Sequence, residues 1–182
     1  MAGRIAKRLA ELKIVLPKPA APAANYVPAV ISGNHVYISG QGSYWDGKLH
    51  YNGKLGHNVS VEDGQKCARL VGLNVLAQLN AALDGDLDRV VRCVKINGYV
   101  NSAPDFGDQP KVVNGCSDLM VEVFGEAGRH ARSATGAPAL PMGISVEIEA
   151  IFEIAPAAKA SAKTAAKKPA KKAAAKKAKK RR

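Results

Sequence analysis

The sequence has no apolar run near its start that is long enough to cross a membrane. Lys7, Arg8 and Glu11 interrupt the first hydrophobic stretch, which falls well short of the roughly 20 apolar residues that a spanning helix needs. The first residues also lack the pattern of a signal peptide. We therefore expect a cytoplasmic protein without membrane contact, in which residues 1–19 form a short amphipathic helix, ended by Pro17, and a linker.

The sequence also lacks the cysteine and histidine spacings of disulfide frameworks and metal sites. Its three cysteines form no CxxC pair, which suits a reducing, intracellular setting. Cys67 and Cys93 lie in apolar runs and are predicted to be buried, whereas Cys116 either packs in the core or lines a cleft. The four histidines show no ligand spacing such as HExxH, so we expect no metal.

Acidic residues are absent from residues 156–182, which hold twelve of the 27 basic residues of the chain. Residues 1–155 then contain 15 basic and 15 acidic residues, so the whole excess of positive charge lies in this basic tail. The tail consists almost entirely of alanine and lysine. Such a composition offers no apolar core, and the tail is predicted to be disordered.

The basic tail resembles the C-terminal tails of linker histones, which bind phosphate backbones through counterion release. Because it has no aromatic residue for base stacking, we expect non-specific binding to DNA or RNA, which would associate the protein with the nucleoid. The alternative is that the tail only aids solubility or repels other copies of the chain.

Apolar spacing predicts a hairpin, a loop and a helix in the first half of the chain. Residues 26–41 read as two short strands around a Ser-Gly-Asn turn, whose glycine and asparagine tolerate positive φ. Residues 42–58 are rich in glycine, show no clear period and are predicted to form a long loop near a functional surface. Residues 60–83 have helical spacing, with Ser60 as a possible N-cap.

The second half of the chain reads as a strand, a helix and two further strands. A β-branched run predicts an interior strand over residues 90–100, with one face formed by Val90, Val94, Ile96 and Val100. A helix is predicted over residues 109–124, closed by Gly125. The last strand alternates from Ile144 to Ile154, with Glu147 and Glu149 on its polar face.

The predicted order is a leading helix followed by ββαβαββ. This order indicates an α+β fold in which two helices pack on one face of a mixed sheet. A sheet that buries one face only, in a domain with a neutral surface, often completes its burial by symmetric assembly. We therefore expect a homo-oligomer.

Several short motifs follow one another along roughly 130 residues of the chain. They are Tyr26-Val27, Ile38-Ser39-Gly40-Gln41, Asn114, Ala131-Arg132-Ser133, Leu140-Pro141 and Val146-Glu147-Ile148-Glu149-Ala150. Each motif alone could occur by chance, but their order and spacing together are specific. On these motifs, residues 20–155 resemble the Rid/YjgF family of enamine/imine deaminases, also called the endoribonuclease L-PSP family.

The resemblance implies a chorismate-mutase-like fold and a homotrimer with ligand clefts at the subunit interfaces. It also implies the hydrolysis of reactive 2-imino acids to 2-keto acids and ammonia, without a cofactor. Two further functions stay open. The chain could be a nucleic-acid-associated protein or ribonuclease that uses its basic tail, or a non-catalytic relative that binds a small carboxylate.

The resemblance also assigns the site residues. It places the carboxylate-binding arginine at Arg132, the water-positioning glutamate at Glu147, the motif tyrosine at Tyr26, the pocket asparagine at Asn114 and the glycine of the SGQ turn at Gly40. The chemistry agrees in part, since a planar guanidinium can hold a carboxylate through two parallel hydrogen bonds. A carboxylate can likewise orient the attacking water and accept its proton.

Purely structural roles are the alternatives for these side chains. Arg132 could pair with Glu147 or Glu149 as an ion pair, Tyr26 could pack at a strand edge, and Asn114 could bond only to the backbone. A hairpin of residues 131–137 with residues 143–150 would place the arginine and the first glutamate opposite each other.

The chain departs from the family pattern in three places. Ala134 stands where the family often has a cysteine, Trp45 lies in an enlarged loop, and a leading helix is added. These departures leave the substrate open.

Overall fold

The computed structural model describes residues 3–22 and 24–156. The basic tail lies outside these residues, apart from Pro156, so its predicted disorder stays a prediction. The helices and strands of the described part are α1 (Arg4–Glu11), β1 (Ala29–Ser32), β2 (His35–Gln41), β3 (Tyr44–Trp45), β4 (Lys48–Leu49), α2 (Val61–Ala82), β5 (Val90–Asn101), α3 (Gln109–Phe124), β6 (Ala131–Ala137) and β7 (Val146–Ile154). Within these ranges no helix is long and apolar enough to span a bilayer.

Five strands form one mixed sheet in the order β1-β2-β7-β5-β6. Strands β5 and β6 run parallel, and the other neighbours are antiparallel. Helices α2 and α3 pack against each other and cover one face of the sheet. The alternate residues of β7 that face them are buried, as the period-two pattern predicted: Val146, Ile148, Ala150, Phe152 and Ile154. The predicted α+β class is therefore confirmed.

The last two strands do not form the hairpin that the sequence suggested. Strand β7 lies between β2 and β5, whereas β6 lies at the sheet edge beside β5. The reason is that β5, α3 and β6 make a βαβ unit, whose helical crossover is long enough to bring two parallel strands together. Strand β7 then pairs with the other side of β5.

Two irregularities in β5 change the face that the sequence predicted for one residue. The pairing of β5 with β7 shifts between Val90 and Arg92 and again between Cys93 and Lys95. An extra residue at such a bulge moves the following side chains to the opposite face. Cys93 is therefore buried and Val94 only half-buried, so the prediction for Val94 was wrong.

The leading helix is shorter than predicted, because it ends at Glu11 instead of reaching Pro17. Lys13 has a φ of +55°, its N–H donates to the carbonyl of Ala10, and the N–H of Ile14 donates to the carbonyl of Leu9. This pair of bonds is a Schellman motif, which closes a helix and redirects the chain.

Residues 42–58 contain a small hairpin that was not predicted. Strands β3 and β4 pair through Asp46 and Gly47, whose φ angles are +49° and +75°. An Asp-Gly pair with two positive φ angles is a preferred two-residue turn in hairpins. The dipeptide was the signal in the sequence, although the strands of two residues each are too short to show a period.

The other turn and cap predictions are confirmed. Strands β1 and β2 join through Gly33 and Asn34, and Gly33 has a φ of +59°. The Ser60 hydroxyl accepts a hydrogen bond from the N–H of Asp63 at 3.0 Å and caps α2. Helix α3 ends at Phe124 and is followed by Gly125 with a φ of +63°.

The leading segment, defined as residues 3–22, is fastened to the rest of the fold at its start. Ile5 and Leu9 of α1 are buried in the hydrophobic core. The carboxylate of Asp88 accepts hydrogen bonds from the N–H groups of Ile5 and Arg4, each at 2.7 Å. These bonds, that of Ile5 first, lower the pKa of Asp88 from its ordinary value.

Asp88→Ala should lower the free energy of unfolding by about 1 kcal/mol, because the first N–H groups of α1 would lose an acceptor, as they do when an N-cap side chain is removed. In the native protein the contribution of Asp88 should be complete above its unfolded-state pKa and vanish as the pH falls through the lowered folded-state pKa. Urea denaturation at several pH values measures both effects. The exposed Asp105→Ala variant is the control, and equal losses in the two variants would contradict the role of Asp88.

Candidate functional site

Helix α3 holds Arg132 from one side. Its Nη1 donates to Asn114 Oδ1 at 2.8 Å and to Ser117 Oγ at 3.0 Å. Asn114 and Ser117 lie three residues apart and therefore on the same face of α3. We call these three side chains the arginine half-site. They fix the plane of the guanidinium and leave Nη2 and Nε without an acceptor among the described residues.

His130 contacts Ser117 and so helps to orient the arginine half-site. His130 Nε2 lies 3.0 Å from Ser117 Oγ, and His130 Nδ1 lies 2.6 Å from the carbonyl oxygen of Gly128. Because a carbonyl can only accept, Nδ1 carries the proton and Nε2 accepts from the serine hydroxyl. Burial, reinforced by the positive charge of Arg132, lowers the pKa of His130 and favours this neutral form.

The ion pair considered for Arg132 does not form. Neither Glu147 nor Glu149 makes a salt bridge with it in the described part of the chain. Glu149 instead accepts hydrogen bonds from Asn97 Nδ2 at 2.8 Å and from the Tyr99 hydroxyl at 3.3 Å. The guanidinium therefore has no carboxylate partner among the described residues.

Glu147 lies against Gly40, and the Ser39-Gly40-Gln41 motif forms the end of β2 and not the turn that the resemblance implied. A Cβ atom added to Gly40 would come within 3.0 Å of Glu147 Cδ, and even nearer to Oε1, so any other residue at position 40 would displace the carboxylate from this position. Gly40 lies in the irregular stretch of β2 between the paired residues Ile38 and Gln41. Burial, and after it the negative charge of Glu149, raises the pKa of Glu147 above its usual value.

A cleft of about 620 Å³ opens beside Glu147. We call it the glutamate cleft. Three of the predicted site residues line it: Tyr26, Gly40 and Glu147. Its remaining lining is mostly apolar or uncharged: Ala20, Ala21, Pro22, Pro28, Gln41, Gly42, Tyr44, Gly47, Gln78, Pro141, Met142 and Ile144.

Arg132 and Glu147 lie on opposite faces of the sheet. Arg132 is paired with Ile96, which is fully buried beneath the helices. Glu147 is paired with Tyr99, which is 36% exposed on the open face. Because side chains alternate along a strand, positions 96 and 99 of β5 point to opposite sides. The expectation that Arg132 and Glu147 face each other across one ladder was therefore wrong.

The sequence did not reveal several residues of these two surfaces. Ser117 could have been found from its spacing of three from Asn114 on the same predicted helix. Gln78 and Met142, in contrast, reach the glutamate cleft only through tertiary packing. Met142 has a φ of +55°, which no feature of the sequence predicts.

All three cysteines are free and buried in the described structure. Burial raises the pKa of Cys67 to about 11, the pKa of Cys93 to about 12 and the pKa of Cys116 further still. Such thiols are poor nucleophiles. Cys116 packs in the core and does not line the glutamate cleft, which decides between the two roles considered for it.

Comparison with known proteins identifies a family and a relative that are similar to this chain. The sequence profile of the family described as "YjgF/chorismate mutase-like, putative endoribonuclease" matches residues 6–153. The chain is 50% identical to Protein TCP17 of Trypanosoma cruzi over 153 residues, which cover 84% of this chain and 95% of that protein.

Two crystal structures extend the comparison. The protein Atu1372 of unknown function from Agrobacterium tumefaciens is 48% identical, with a TM-score of 0.78, over 83% of this chain and 92% of that one. RidA from the Antarctic bacterium Psychrobacter sp. is 32% identical, with a TM-score of 0.52, over 75% of this chain and 94% of that one.

Proposed function

The chain belongs to the YjgF/chorismate mutase-like family, and on that premise we propose that it hydrolyses reactive 2-imino and enamine acids to 2-keto acids and ammonia. The observation that carries this proposal is the guanidinium of Arg132, which Asn114 and Ser117 hold from one side while its other edge has no acceptor within residues 3–22 and 24–156. This arrangement suits a substrate carboxylate, which can accept two parallel hydrogen bonds from a fixed guanidinium.

We further propose that each active site joins the arginine half-site of one subunit to the glutamate cleft of another, in a homotrimer. The placement of Arg132 and Glu147 on opposite faces supports this, because the sheet separates the two side chains within one chain. The open face also carries an apolar cross-strand row of Val30, Tyr37 and Ile151. Val30 and Tyr37 are 50% and 45% exposed, and contact between subunits would bury them.

In the proposed reaction Arg132 binds the substrate carboxylate, and Glu147 of the neighbouring subunit orients a water molecule towards the imine carbon. The water oxygen forms a bond to that carbon while Glu147 accepts a proton from the water, and the π electrons of the C=N bond pass to the nitrogen, which takes up a proton to give the carbinolamine. The carbinolamine nitrogen then takes up a second proton, the C–N bond breaks as the hydroxyl loses its proton, and ammonia and the 2-keto acid are released. Water supplies both the oxygen and the protons, so no cofactor is required.

The activity should fall at acidic pH, as Glu147 becomes protonated and can no longer accept a proton. Because burial and the neighbouring charge of Glu149 raise the pKa of Glu147, this loss should occur at a higher pH than for an ordinary glutamate. Glu149→Gln should move the acidic limb of kcat to lower pH, since it removes the nearby negative charge.

The matched control for this pH profile is Glu153→Gln. Glu153 lies on the same face of β7, but its carboxylate is engaged by Asn34 Nδ2 at 3.2 Å, and it does not contribute to the pKa shift of Glu147. The control should leave the limb in place. A profile that stays the same in Glu149→Gln, or moves to higher pH, would show that another group controls the rate.

The direct test of the proposed reaction is ammonia release from 2-imino acids generated enzymatically from several amino acids. We expect the protein to accelerate release above the spontaneous rate. Acceleration of none of these imines would contradict the proposal. Saturable binding of 2-oxo acids without turnover would then identify a carboxylate-binding relative, a role for which Ala134 in place of the family cysteine gives a reason.

A second candidate function is non-specific binding of nucleic acid through the basic tail. Twelve basic and no acidic residues in residues 156–182 favour it, while residues 1–155 are neutral. Truncation after Ala155 should abolish the binding of duplex DNA or RNA and leave imine hydrolysis intact, whereas Arg132→Ala should do the reverse. The affinity of the full chain should fall steeply with salt. Cleavage of RNA, in contrast, would indicate the ribonuclease alternative.

A further inference from the structure

The leading segment forms part of the wall of the glutamate cleft. After α1 the chain continues to Ala20, Ala21 and Pro22, which all line the cleft. Gln78 of α2, which is only 4% exposed, donates a hydrogen bond from Nε2 to the Ala20 carbonyl at 2.8 Å. The wall is thus fixed at its end by a buried amide, and the segment is fastened at its beginning by Asp88.

The surface that this wall helps to enclose is mostly apolar. It faces the side chains of Tyr26, Tyr44 and Met142, and Glu147 is the one charged residue among the described residues of the lining. The volume of about 620 Å³ lies within the range of ~300–1,000 Å³ in which pockets bury drug-sized molecules. A three-carbon imino acid would leave most of this space empty.

We propose that the leading segment selects the substrate side chain and favours bulky, uncharged 2-imino acids, with branched aliphatic or aromatic groups. This inference rests on the proposed function. With the carboxylate on the partner subunit's Arg132 and the imine carbon near Glu147, the side chain occupies the apolar part of the cleft against Ala20, Ala21 and Pro22. An ionised side chain would lose its hydration there without gaining a partner.

The test compares kcat/KM for the imines derived from leucine and from alanine. Each additional buried methylene contributes about a 4-fold preference, and the leucine side chain has three more carbons than that of alanine, so we expect the native protein to favour the leucine-derived imine by about 10–100-fold. Ala21→Trp places a large side chain on the wall, reduces the space in the cleft and should lower this ratio at least about 10-fold. Val15→Trp is the matched control, because Val15 lies on the same segment, is 69% exposed and does not line the cleft; the ratio should persist in it.

A ratio near one in the native protein, or a ratio that Ala21→Trp leaves unchanged, would overturn the inference while leaving imine hydrolysis established. Calorimetric binding of pyruvate and 4-methyl-2-oxopentanoate decides the matter if no imine is turned over. Tighter binding of the larger acid that is lost in Ala21→Trp would support the apolar wall even though the proposed reaction had failed. Equal binding, or no binding of either acid, would overturn it.

Discussion

Replacement of Arg132 by alanine should lower kcat/KM for imine hydrolysis by about 10²–10⁴-fold, because it removes two charge-assisted hydrogen bonds worth about 1.5–3 kcal/mol each. Arg132→Lys should recover only a small part of this loss. A lysine ammonium cannot hold a carboxylate in two parallel bonds, and it cannot reproduce the geometry of the bonds to Asn114 and Ser117. Ammonia release under saturating and limiting substrate measures both variants.

The matched control for the arginine is Arg129→Ala. Arg129 lies three residues earlier, and its exposed guanidinium pairs with Glu126. Its loss should leave kcat/KM unchanged and should have little effect on stability, as for most exposed ion pairs. If both arginine variants lost activity to the same extent, general positive charge and not the site at Arg132 would account for the rate.

Glu147→Gln should lower kcat by about 10²–10⁴-fold with a small change in KM, because the amide keeps the shape of the side chain but cannot accept the proton of the water. At neutral pH the free energy of unfolding of this variant should be no lower than that of the native protein. A carboxyl group whose folded-state pKa is raised destabilises the folded protein when it is charged. Its replacement by a neutral amide removes this destabilisation.

Glu153→Gln, on the same face of β7, should keep its activity and serves as the control for this variant. A parallel loss of activity and stability in Glu147→Gln would assign the glutamate a structural role. Equal activities of Glu147→Gln and the native protein would remove it from the reaction.

Local patterns were enough to predict the main helices and strands. The alternation of β7 survives in the structure because its two neighbours hold it in a regular ladder. The face of Val94 was predicted wrongly because the bulges of β5 depend on its partner strand and leave no mark in the spacing of valines. The position of β7 between β2 and β5 was missed for a similar reason, since strand order is set by the crossover through α3 and by burial against the helices.

Residues for the candidate site could be assigned from the sequence, and their chemical roles stay predictions, whereas their geometry could not be foreseen. The contact of Arg132 with Asn114 agrees with their assignment to one pocket. Their separation from Glu147 could not be foreseen, because it depends on the register of β5 with two different strands. The wall formed by the leading segment was also missed, since a Pro/Ala-rich stretch carries no period and its place is fixed by a single distant bond from Gln78.

The most direct test of a shared active site is subunit complementation between Arg132→Ala and Glu147→Gln. Each variant alone should be almost inactive. If the chains are unfolded together and refolded in equal amounts, one site in about four should combine a native Arg132 with a native Glu147 from two subunits, and about a quarter of the native rate should return. No recovery in assemblies shown to contain both chains would contradict a site built across the subunit interface.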